Sequence, residues 1–135
     1  YGNILADLAH AMTLKYAAEK KKTVVNYDNI KDLIAADLRI GPAWLNVNHG
    51  NYCGAGGYCF PKDMAAFIAF ADSLVGQLGK KADPAFVKVL KKGIDVLKAA
   101  EDYNVELLKA QGLNVDDVSK HNTEIILQKR KGIRK

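Results

Sequence analysis

Apolar residues in this chain recur at steps of three and four, the spacing of one helical face, and no alternation of period two persists. Ile4, Leu5, Leu8, Met12 and Tyr16 predict a first helix that ends at Lys20, Lys21 and Lys22. Ile30, Leu33, Ile34 and Leu38 predict a second, with Asn26 or Asp28 as its N-cap and a stop near Arg39-Ile40-Gly41-Pro42. Pro61, then Met64, Phe67, Ile68, Ala71, Leu74, Val75 and Leu78, predict a third helix ending at Gly79. Asp83-Pro84 opens a fourth, with the stripe Val87, Leu90, Ile94, Leu97, Val105 and Leu108 running to Gly112. A last helix starts at Asn114, has Asp116 and Asp117 in its first turn and carries Val118, Ile125 and Ile126. The expected fold is all-α: five helices, no sheet, and one helical domain over residues 1–135.

Residues 41–60 break the helical rhythm and are dense in glycine and asparagine. A loop of about twenty residues is uncommon in a compact domain unless it is functional or disordered. Leu45, Val47 and the aromatics Trp44 and Tyr52 argue for order, with packing favoured over sugar stacking for both aromatics.

With 135 residues, 49% of them hydrophobic, the chain can bury a core without disulfides. Cys53 and Cys59 fit neither a zinc site nor a redox pair, so both are read as reduced thiols and no metal is expected. There is no run of about 18 apolar residues and no leader pattern, so the expected compartment is cytoplasmic and no membrane partner is expected. Because the chain opens on Tyr1 without a start methionine, it reads as a piece of a longer protein. The net charge of +5 is concentrated at Lys20-Lys21-Lys22 and in a tail of Lys129, Arg130, Lys131, Arg134 and Lys135. Cations at helix ends complement the macrodipole, and no aromatic residues interleave the basic tail, so nucleic acid is not the expected partner.

The chemistry gathers in Gly54-Ala55-Gly56-Gly57-Tyr58-Cys59-Phe60-Pro61-Lys62-Asp63. Glycines let a backbone approach a ligand closely, and their N–H groups can cradle an anion. Cys59 falls just before a helix N-terminus with Lys62 nearby, and both favour a nucleophilic thiolate. Asp63, one turn on, can position a water or shuttle a proton. The alternative for Cys59 is a small buried hydrophobe in a tight turn. The glycines are not a dinucleotide fingerprint, because Cys59 holds the sixth position and no strand precedes them.

This decapeptide resembles the catalytic motif of the UDP-glucose/GDP-mannose dehydrogenase family. Asp37-Leu38-Arg39-Ile40-Gly41, followed by Trp44-Leu45-Asn46, resembles the family's arginine-containing segment, and the likeness covers residues 26–70. The resemblance implies the central, dimerising helical domain of an NAD-dependent enzyme that oxidises the primary alcohol of a nucleotide sugar to the acid. In that reading Cys59 captures the aldehyde as a thiohemiacetal, a second oxidation gives a thioester, and Asp63 handles the water that hydrolyses it. Residues 54–57, including Gly54, Gly56 and Gly57, lie against the sugar together with Tyr58. Lys62 supports the thiolate, and Asn3 stands against the family's asparagine. Arg39 matches an arginine that reaches a partner's substrate across a homodimer, although the loop between Arg39 and Cys59 is longer here than in the family. NAD would be bound by a domain outside this chain, so the isolated chain is expected to be inactive.

Two other readings compete with this one. In the first, the chain is a non-catalytic helical assembly or binding module whose basic clusters contact acidic partners. In the second, it is a free-standing thiol enzyme using a histidine base, with His49 placed nearer than His10 or His121.

Overall fold

The structure is a computed structural model that describes residues 2–43, 45–48, 51–78, 82–119 and 123–131. Within those residues there are six helices and no strand: α1 (Gly2–Ala18), α2 (Tyr27–Ala35), α3 (Phe60–Leu78), α4 (Pro84–Lys109), α5 (Val115–Ser119) and α6 (Thr123–Lys131). The all-α expectation holds, but the expected last helix is present as two, α5 and α6. The chain forms two compact units, Tyr1–Cys53 and Gly54–Lys135.

In Tyr1–Cys53, α1 packs against α2. Sequence periodicity puts Ile4, Leu8 and Met12 on the buried face of α1, yet all three are exposed, and the buried positions are Gly2 and Ala9. Small residues let the chain approach closely. A Cβ on Gly2 would come within 3.0 Å of the Tyr27 hydroxyl and 3.2 Å of Val47. Thr13 adds a polar reason for this facing, since its Oγ1 accepts from the Val25 N–H at 2.9 Å.

Helix α2 is capped by Asn26, whose side chain accepts from the Asp28 N–H at 2.8 Å. It ends at Ala35, earlier than the apolar spacing suggests, and Leu38 is 96% exposed and so lies on no buried face. The Asp37 carboxylate accepts from the Arg39 backbone N–H at 3.0 Å and from its guanidinium at 2.9 and 2.6 Å. That local bonding offers the backbone an alternative to another helical turn. The segment beyond is anchored by Tyr27, whose hydroxyl donates to the Leu45 carbonyl at 2.7 Å, and by the burial of Leu45 and Tyr52. Burial raises the pKa of both Tyr27 and Tyr52.

In Gly54–Lys135, α3 packs along α4, and the exposed Lys98–Asp72 ion pair at 2.6 Å links them. Asp83 caps α4 by accepting from the Ala85 N–H at 2.9 Å, with Pro84 in its first turn. The helix ends at Lys109, three residues before the expected stop at Gly112, which follows in the left-handed region at φ +72° while the Leu113 N–H donates back to the Leu108 carbonyl at 3.0 Å. The core takes Ile68 from α3, Ile94 and Leu108 from α4, and Leu113, Val118 and Ile126 beyond it. Asn114 and Asp117 form a reciprocal cap on α5, each backbone N–H donating to the other side chain, at 2.9 and 2.8 Å. Lys129 on α6 then pairs with both Asp117 oxygens at 2.8 and 2.7 Å.

Candidate active site

The glycine segment is held from a distance. The Ala55 N–H donates to Asn104 Oδ1 at 2.6 Å, and Asn104 Nδ2 donates to the Ala55 carbonyl at 2.9 Å. Two residues on, the Gly57 N–H donates to the Val118 carbonyl at 3.1 Å. Gly54 is buried with φ +111°, and a Cβ there would lie 2.8 Å from Asn104 Oδ1. Only glycine meets both conditions without strain.

Past this tether the chain reaches Tyr58 and Cys59, both exposed, and enters α3. The Asp63 N–H donates to the Cys59 carbonyl at 2.9 Å, so Cys59 is the cap residue at the N-terminus of α3. Lys62 Nζ pairs with Asp63 Oδ1 in the first turn. Hydrogen bonding to Asp63 raises the Lys62 pKa, and Cys59 acts in the same direction. Cys59, Lys62 and Asp63 are therefore brought together on one open helix terminus, two residues from a fixed glycine backbone. Two of the amides that the sequence offers to an anion, those of Ala55 and Gly57, are hydrogen-bonded within the chain.

Asn3 and Arg39 belong to the other unit. The Asn3 side-chain oxygen is buried and accepts no hydrogen bond among the described residues. Arg39 is exposed and held by Asp37, which raises the pKa of the guanidinium, while Arg39 in turn lowers that of Asp37. Trp44, His49 and His121 lie outside the described residues. Sequence reasoning missed Asn104. Its signal was a polar residue on the inward side of α4, one turn before the fully buried Leu108.

Among the described residues no group of His, Cys, Asp and Glu is placed to hold a metal ion, and no helix is long and apolar enough to cross a membrane. A nicotinamide dinucleotide is ordinarily held where a strand leads through glycines into a helix. The described residues form no strand, and two glycine-segment amides are already engaged, so they do not fit that cofactor.

The second unit is all-helical among the described residues and presents Cys59 at the N-terminus of α3, beside a tethered glycine segment and the Lys62–Asp63 pair. The sequence model for the central domain of the UDP-glucose/GDP-mannose dehydrogenase family matches residues 2–81, and the chain belongs to that family of nucleotide-sugar dehydrogenases. The family is NAD-dependent in general. Comparison with curated proteins and with solved structures gave no match.

Proposed function

We propose that this chain, over residues 1–135, is the central, dimerising domain of an NAD-dependent nucleotide-sugar 6-dehydrogenase and supplies the cysteine that carries the sugar carbon from aldehyde to acid. The reading rests on one observation above all: within a matched family segment, Cys59 is exposed at the N-terminus of α3 with Lys62 and Asp63 in the next turn. The Cys59 thiolate adds to the aldehyde carbon; the C–S bond forms as the carbonyl π pair moves to oxygen, which takes a proton. The carbon stays on sulfur until it is a thioester. Water attacking the thioester then breaks the C–S bond and releases the acid and the thiol, with Asp63 taking the proton from water. NAD is the hydride acceptor in the family's chemistry and is held by another part of the enzyme.

Lys62 favours the thiolate and orients Asp63, while Gly54, Gly56, Gly57 and Tyr58 lie beside the sugar. Arg39 reaches the substrate of a partner copy, and Asn3 supplies an acceptor to be satisfied in the assembled enzyme. Dimerisation is supported by apolar residues left exposed at helical spacing: Phe67 and Phe70 on α3, and Phe86, Val89 and Val96 on α4. The chain sediments as a dimer at micromolar concentration on this reading, and a monomer contradicts it. The tail offers less to an acidic partner than its composition suggests, because Lys129 is already paired with Asp117.

The test is site-resolved alkylation. At neutral pH, iodoacetamide should modify Cys59 in the folded chain faster than the same cysteine in an unstructured peptide of residues 54–63, as read by mass spectrometry. Equal or slower modification removes the catalytic reading.

A further inference from the structure

The Asn104 side chain lies 49 residues beyond Ala55 in sequence and makes two opposed hydrogen bonds to that one residue. A single bond fixes a distance, whereas two opposed bonds to the N–H and C=O of one residue, which lie on successive peptide units, also fix the orientation of the chain at that residue. The Gly57 N–H bond to Val118 fixes a second point, and the cap at Cys59 fixes a third, on a helix that itself packs on α4. The backbone carrying Cys59 is thus held on both sides.

We infer that Asn104 is a positioning residue for Cys59, its amide setting the path by which the chain enters α3 and so the direction in which the thiol faces. The inference rests on the reading of Cys59 as the nucleophile, and it extends the site to a helix beyond the matched residues 2–81. The chemistry selects asparagine. A leucine has the shape without either bond. An ionised aspartate accepts from the Ala55 N–H but sets its other oxygen against the Ala55 carbonyl. Glutamine adds a methylene where packing is already closed, as the 2.8 Å between Asn104 Oδ1 and a Cβ on Gly54 shows.

The experiment compares the full wild-type chain with Asn104→Leu and Asn104→Asp. Amide hydrogen exchange over residues 54–59 is read beside the pH profile of Cys59 alkylation. Lys62 and Asp63, the charged side chains beside the thiol, are the same in every variant. In Asn104→Leu, exchange over residues 54–57 should rise about tenfold, the scale of one or two lost hydrogen bonds, and the Cys59 profile should collapse onto that of the unstructured peptide. Asn104→Asp should keep the Ala55 amide protected and give an intermediate profile. A Cys59 profile in Asn104→Leu that coincides with wild type overturns the inference, even where exchange has risen, because Asn104 is then only structural. If circular dichroism shows that Asn104→Leu has lost its helices, Asn104→Asp decides by the same comparison. A wild-type profile equal to that of the peptide instead removes the catalytic reading and the inference with it.

Discussion

In Tyr1–Cys53 the Tyr27 phenol donates one hydrogen bond to the Leu45 carbonyl, whereas in Gly54–Lys135 the Asn104 amide both donates to and accepts from Ala55. Each unit thus fastens an irregular segment to a helix side chain distant in sequence. The phenol holds a single carbonyl, and burial of Leu45 and Tyr52 does the rest, while the amide grips both the N–H and the C=O of one residue, on two successive peptide units. The cores differ in the same sense. The first unit buries Ala9, Leu45 and Tyr52; the second buries aliphatic side chains from α3 to α6, with Leu108 at 0% exposure beneath Gly54. The two-bond tether and, among the described residues, the larger set of buried aliphatic side chains both fall on the unit that carries Cys59.

The largest test of that contrast is Leu108→Ala. Truncating a fully buried leucine removes transfer energy and leaves a cavity, so the second unit should lose about 2–5 kcal/mol in urea denaturation. A loss below about 1 kcal/mol, the size of a single hydrogen bond, means that Leu108 does not anchor that core. Next is Gly54→Ala, which combines left-handed strain with a methyl set against Asn104 Oδ1. About 1–3 kcal/mol should be lost on thermal melting, with faster amide exchange at Ala55. An unchanged melt would show that the tether tolerates a side chain there.

Tyr27→Phe tests the weaker tether, at a cost of about 0.5–1.5 kcal/mol for the lost hydrogen bond. It also carries a pH signature. Burial raises the Tyr27 pKa, so the folded state holds the phenolic proton more tightly than the unfolded chain does. That contribution is complete below the ordinary tyrosine value of about 10 and is lost as pH rises through the higher folded value. Wild type should therefore lose stability more steeply than Tyr27→Phe in alkaline denaturation, and parallel curves would assign the tether elsewhere.

What the sequence could reveal followed the range of the forces involved. Helices α3 and α4 were legible because their apolar stripes are long and their starts carry Pro61 and Asp83-Pro84. In α1 the stripe of large residues was only partly right: Leu5 and Tyr16 are half-buried, but Ile4, Leu8 and Met12 are exposed and full burial falls on the small residues Gly2 and Ala9, which periodicity in size does not mark. The early end of α2 came from a carboxylate bonding two residues on, a contact that apolar spacing cannot register. At the candidate site, Cys59, Lys62 and Asp63 could be grouped from the sequence because one decapeptide holds them. Asn104 was not, since a tether that spans 49 residues leaves no local pattern.

Helix ends offer the finest comparison, and one substitution there should stabilise. Helix α4 passes into its left-handed residue at Gly112, φ +72°, while α1 does so at Lys20, φ +58°. Behind Lys20, the Lys21 N–H donates to the Tyr16 carbonyl at 2.9 Å, so the closing geometry is made with a lysine where glycine is usual. The left-handed conformation costs a residue with a Cβ about 1 kcal/mol. Glycine relieves that cost but brings back about 0.5 kcal/mol through the greater freedom of the unfolded chain. Lys20→Gly should therefore stabilise the first unit by about 0.5 kcal/mol, read as a small rise in the urea midpoint at unchanged slope. The Lys21 ammonium, 5.5 Å from the Tyr16 ring centroid and paired with Glu19 at 2.7 Å, is untouched by the change. A fall in the midpoint would mean that the Lys20 side chain contributes more than its backbone strain removes, and that the two units end their helices by different physics.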